Sequence, residues 1–95
     1  EGSIILLDAT TCTVQKTFRE HIDYVNDLAF NNDGDLLVSG SRAGTIVVNS
    51  LVTDSSARLG DHQTSIETVA FSPDGTLIAS GDADGNIILW GVQEK

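Results

Sequence analysis

The sequence predicts an all-β chain built from a tandem repeat of four short strands. Three observations carry that prediction. Residues 21–49 align on residues 62–90 with a constant offset of 41 and no gap, and a period of that length marks an architecture of stacked repeats. The apolar runs are short and bounded by Gly, Asp, Asn and Ser, as strands between tight turns are. No window sustains a helical spacing of apolar residues.

Each element has its copy. The first strand of the unit carries Val25, Leu28 and Phe30, repeated as Ile66, Val69 and Phe71. Asn32-Asp33-Gly34 and Pro73-Asp74-Gly75 follow as turns, in which Gly supplies positive φ and Asp bonds its own backbone. Leu36-Leu37-Val38 and Leu77-Ile78-Ala79 make the second strand, and Ala43-Gly44 and Asp84-Gly85 the next tight turn. The third strand, Ile46-Val47-Val48 or Ile87-Ile88-Leu89, is apolar without alternation, so both of its faces are expected to be buried. A weaker fourth strand is expected at residues 13–18 and around residues 55–59. The opening "EGSIILLD" repeats the end of the unit, with Gly2 leading Gly44 by 42 residues. Residues 1–20 therefore read as the tail of a preceding repeat, 21–61 as one full repeat, and 62–95 as a second repeat lacking its last strand.

Composition narrows the function. The 95 residues suffice for one small domain. Fourteen acidic side chains face 5 Lys and Arg, a net charge of −9, which argues against nucleic acid and anionic membranes because both require a basic footprint. Cys12 is the only cysteine, so an internal disulfide is impossible, and an intracellular, cytoplasmic setting is expected. No apolar run approaches membrane-spanning length. The start has neither a basic segment nor a signal cleavage pattern, and no initiator Met, which leads us to expect a processed product or a piece of a longer chain.

The repeated unit, with "VAFSPDGTLIASGDADGNIILW" as its fullest version, resembles the WD-repeat β-propeller family, and the resemblance covers the whole chain. It implies four-stranded antiparallel sheets acting as propeller blades, here a partial propeller of about two blades. It also implies that a histidine before the first strand, a serine on the second, an aspartate in the following turn and a tryptophan on the third bond to one another. Matched position by position, these are His62, Ser80, Asp84 and Trp90. The first repeat keeps His21 and Ser39, but Ala43 stands for the aspartate and Asn49 for the tryptophan, so its network is expected to be looser or to hold a water in place of the lost carboxylate.

The same residues also admit sharper chemistry. A calcium loop starting at Asp82 has Asp84 and Asn86 in place, but its sixth position is Ile87 instead of glycine and its twelfth is Gln93 instead of glutamate. Ser80, His62 and Asp84 could form a nucleophile, base and orienter, yet "IASGD" is no nucleophile elbow, and Trp90 offers the serine a structural bond instead. Cys12 lies in the polar "ATTCTVQ" without a nearby basic group. No catalytic, cofactor-binding or metal-ligating residue is therefore expected.

The resemblance further implies partner docking on the narrow rim of the ring. The rim positions are Tyr24, Asn26 and Arg42 in one repeat and Ser65, Glu67 and Ala83 in the other. Tyr24 and Arg42 stand out, because Tyr and Arg are enriched among interface hot spots. The expected function is a non-catalytic scaffold for protein–protein interaction, with remaining blades supplied by a longer chain or by self-association. The alternatives are an accessory propeller of a larger enzyme or signalling protein, or a calcium-binding propeller.

Overall fold

Short apolar runs punctuated by Gly and Asp leave the chain little choice but hairpins, and a computed structural model, describing residues 2–21 and 23–92, consists of nine strands and no helix among them. They are β1 Ile4–Leu7, β2 Val14–Phe18, β3 Val25–Phe30, β4 Leu36–Ser41, β5 Thr45–Ser50, β6 Ser56–Asp61, β7 Ile66–Phe71, β8 Leu77–Asp82 and β9 Ile87–Gly91. All pairings are antiparallel between sequence neighbours, giving sheets of two (β1-β2), four (β3 to β6) and three strands (β7 to β9). The four-stranded sheet is one complete blade, including the weak fourth strand expected around residues 55–59.

The repeat extends to fine geometry. Gly34 and Gly75 close the β3–β4 and β7–β8 turns at φ of 76° and 77°, each donating its N–H to the carbonyl three residues back. Cys12 and Asp54, in the β1–β2 and β5–β6 turns, share a left-handed backbone at φ of 61° and 66°. The register of β3 on β4 slips between Val25 and Asp27, and that of β7 on β8 between Ile66 and Thr68. The skipped residues are Asn26 and Glu67. A bulge re-aims a side chain out of the ladder, and both are rim positions.

The core lies between sheets. Val38 and Ile46 of the four-stranded sheet pack against Ile66, Val69 and Ile78 of the next, all buried. A second cluster, Ile4, Phe18 and Leu37, joins the two-stranded sheet to the central one. Close approach requires glycine at Gly40, where an added Cβ would sit 2.5 Å from the Ile66 side chain. Two side chains of β3 fasten the sheets further: Asn26 Nδ2 donates to the Ile66 carbonyl, and Asp27 Oδ2 accepts the Val69 N–H, at 2.9 Å each. Capping the free edge of β7 in this way satisfies groups that no strand pairs.

One expectation about the third strand is corrected. β5 is buried on both faces, but β9 alternates, with Ile87 72% and Leu89 63% exposed. Their counterparts Ile46 and Val48 lie against the following sheet; among the described residues, no sheet follows β9. Ile5 and Leu7 of β1 are similarly exposed on the opposite end.

Candidate functional site

Two groups of polar residues stand out, one buried inside the last sheet and one exposed along a rim. The buried group is set by strand register. Ser80 on β8 lies two residues along from Ile78, the ladder partner of Trp90 on β9, and His62 enters from the segment before β7. The Trp90 indole N–H can only donate, and it reaches Ser80 Oγ at 2.8 Å. Ser80 then gives its own hydrogen to His62 Nε2, 2.6 Å away. That leaves the proton of a neutral ring on Nδ1, which donates to Asp82 Oδ2 at 2.8 Å. Asp82 Oδ1 accepts the backbone N–H groups of Asp84 and Asn86, at 3.0 Å each. The His62 N–H, together with these backbone donors, holds the Asp82 carboxyl below the usual carboxylate range against the opposing effect of burial. A donor chain satisfied at every link suits a buried site.

The carboxylate in this chain is a correction. Asp84, expected there, is exposed and stands on the wall of a cleft of about 460 Å³ beside Asp61, Gln63 and Asn86. Only its backbone N–H joins, through Asp82. The reason is reach: Asp82 ends β8, directly beside the His62 ring, whereas Asp84 sits at the outer turn of the β8–β9 hairpin. Asp82 also starts the tight turn, where an Asp side chain accepts backbone N–H groups further on.

Serine, histidine and aspartate thus connect in the order of a hydrolytic triad, with Asp82 as the third member. Ser80 is 1% exposed and its oxygen accepts the Trp90 N–H, so a substrate has no approach to it. The calcium loop considered above would begin at the same Asp82. Both Asp82 oxygens are engaged, no group of three or more possible ligands occurs among the described residues, and Gln93 lies outside them. Cys12 is exposed in a turn, its N–H bonded to the Asp8 carbonyl.

The first repeat departs from this pattern. His21 Nε2 meets Ser39 Oγ at 2.7 Å, but Ser41 occupies the register position of Asp82, and Ser41 instead accepts the Thr45 N–H at 3.3 Å. Among the described residues, His21 Nδ1 and Asn49 Nδ2 are buried without a hydrogen-bond partner. The looser network expected here is therefore what the geometry shows, with Ser41, not Ala43, at the site of the missing carboxylate.

On the rim, Arg42 lies over the Tyr24 ring at 4.6 Å and its guanidinium pairs with Asp23 at 3.1 Å. Backbone bonds lock this pair and its copy: Arg42 N–H to the Tyr24 carbonyl, Ala83 N–H to the Ser65 carbonyl. Asn26 bridges the two by donating to Ser65 Oγ at 2.9 Å. The structure thus brings Tyr24, Arg42, Asn26, Ser65 and Ala83 into one contiguous strip, with Glu67 exposed on its bulge beside it. Asp23 was not singled out from sequence, because its role depends on an ion pair across a loop.

Comparison with known proteins agrees with this architecture. The family model "WD domain, G-beta repeat" matches residues 12–49 and 53–91, two spans whose starts lie 41 residues apart, as the repeat does. A vacuolar protein sorting-associated protein 41 homolog of Solanum lycopersicum is 39% identical over 62 residues, 65% of this chain and 6% of that protein. A WD repeat-containing protein 55 homolog of Aedes aegypti is 37% identical over 62 residues, 63% of this chain and 13% of that protein. The chain therefore spans a small part of the length of these relatives. With two matched repeats covering most of its residues and the sheets to match, the chain belongs to the WD40 family.

Proposed function

We propose that this chain is a non-catalytic WD-repeat scaffold that binds a protein partner along the strip from Tyr24 and Arg42 to Ser65 and Ala83. WD40 repeats generally mediate protein–protein interaction, and the finer assignment rests on one observation. The Tyr24–Arg42 stack is held rigid by Asp23 and yet stays open to solvent, with Tyr24 47% exposed. A large amphipathic side chain fixed in advance loses little entropy on binding, the property that makes Tyr and Arg frequent hot spots. The buried Ser80 supports the non-catalytic part of this reading. The lone thiol fits a reducing, cytoplasmic setting.

The small share of each relative that the chain covers favours a companion reading, in which this scaffold serves a larger protein. Both readings predict the same experiment. Proteins captured by the wild-type chain should be lost with Tyr24→Ala and with Arg42→Ala but kept with Asp33→Ala, which lies at the opposite ends of the strands. Equal capture by all four proteins would refute the assignment of the strip.

A further inference from the structure

His21 is buried, titratable and unused by the proposed partner surface. Its ring is 7% exposed, it bonds Ser39 through Nε2, and Nδ1 has no partner among the described residues. In the neighbouring sheet the equivalent nitrogen of His62 meets the Asp82 carboxylate. The difference follows from one register position, Ser41 against Asp82. A neutral ring tolerates that surrounding. A charged ring there would be a buried cation with a hydroxyl for its only described partner, which is costly.

We propose that the β3–β6 sheet is an acid-sensitive element: uptake of a proton by His21 loosens this sheet and the Tyr24–Arg42 end of the rim, while the β7–β9 sheet stays held through Asp82. The groups around His21 fit that role. From its own segment, Glu20 acts on the ring and favours the charged form, but less than burial opposes it; Asp23 is engaged by Arg42. β4 contributes Ser39, bonded to the ring and to the Val47 carbonyl of β5; Ser41 and Asn49 hold the positions of Asp82 and Trp90, and none of these titrates in the relevant range. Before β1, Gly2 packs on the His21 backbone. Burial accordingly holds the ring below its ordinary value of 6.5. The sign follows. A histidine depressed in the folded state binds its proton more readily when unfolded, so stability is complete above the unfolded value and is lost as pH falls below it toward the folded one. His21 also lies just before Tyr24, whose carbonyl holds the Arg42 N–H, so loosening there reaches the rim directly. This inference does not depend on the partner-binding proposal.

The test uses the full 95-residue chain, with thermal unfolding between about pH 7 and about pH 5, the range in which a histidine titrates. The wild type should lose melting temperature on acidification with a slope approaching about one proton taken up per molecule unfolded. His21→Gln should remove that component. Ser41→Asp, which copies the neighbouring sheet, should shrink or reverse that loss, because a carboxylate beside Nδ1 favours the charged ring. Amide hydrogen exchange localises the effect: at acidic pH the Arg42 N–H should lose protection while its copy, the Ala83 N–H, keeps it. Should Ser41→Asp not fold, His21→Gln and the exchange comparison decide alone. An unchanged slope in His21→Gln, or equal loss of protection at Arg42 and Ala83, would overturn the proposal.

Discussion

The central sheet and the last sheet share a register, a turn chemistry and a histidine–serine pair, yet they are locked differently. In β7–β9, one uninterrupted donor chain runs from the Trp90 indole through Ser80 and His62 to Asp82. In β3–β6 the same positions hold Asn49, Ser39, His21 and Ser41, and one hydrogen bond of that chain survives. The central sheet also packs on both faces. It has a neighbour on each face, with Leu37 in one core cluster and Val38 and Ile46 in the other, and it has its fourth strand. Among the described residues, the last sheet has three strands, and Ile87 and Leu89 on it are exposed. Among the described residues, the last sheet carries the full chain of bonds and the central sheet one link of it.

Substitutions can break that comparison. The largest effect is expected at Trp90→Ala, about 3 kcal/mol or more by analogy with other large aromatic deletions, because the ring both donates to Ser80 and covers Gly60, whose added Cβ would lie 2.7 Å from it. Asn49→Ala, at the matching position, should cost far less, since the amide nitrogen it removes has no partner; chemical denaturation of both variants measures the contrast. Next comes Gly44→Ala. Its φ of 91° disfavours any side chain by about 1–2 kcal/mol, and a Cβ would stand 2.5 Å from the His62 carbonyl oxygen. Gly85→Ala bears the same conformational strain at φ of 90° with no atom within 4 Å, so the difference between their melting temperatures isolates the clash between sheets.

His62→Ala should follow, at roughly 1–3 kcal/mol for leaving Ser80 and Asp82 without a shared partner. His21→Ala should cost about 1 kcal/mol or less at neutral pH, for a single bond. Paired with Asp82→Ala, His62→Ala should be non-additive, as groups in one network are. Equal costs at His21 and His62 would mean that the two sheets are locked alike. The smallest effect on stability belongs to Tyr24→Ala, within about 0.5 kcal/mol as for surface positions generally, even though it should abolish partner capture.

The strands and their order were legible because the 41-residue period aligns every apolar run and turn glycine with a copy. The fourth strands were legible only faintly. Val14–Phe18 and Ser56–Asp61 carry few apolar residues, with Phe18 and Leu59 their links to the core clusters. The exposure of Ile87 and Leu89 was not legible, because an apolar run does not say whether a neighbour covers it. Of the buried network, the family resemblance pointed to His62, Ser80 and Trp90 but misassigned the acid. Asp82 and Asp84 flank Ala83 two residues apart, and only the end of β8 decides which of them reaches the ring. Asp27 escaped notice for the opposite reason: its copy is Thr68, so the bond from Asp27 to Val69 across the sheets leaves no trace in the repeat.

The claim that a chain ending at Asp82 locks the last sheet is tested most directly by the thermal unfolding of Asp82→Ala and Asp84→Ala side by side at neutral pH. Asp82→Ala removes the acceptor of the His62 N–H and of two backbone N–H groups and should lower the melting temperature clearly, with no further loss when His62→Ala is added. Asp84→Ala removes an exposed carboxylate outside the chain of bonds and should leave the melting temperature where it was. A larger loss with Asp84→Ala than with Asp82→Ala would contradict the account.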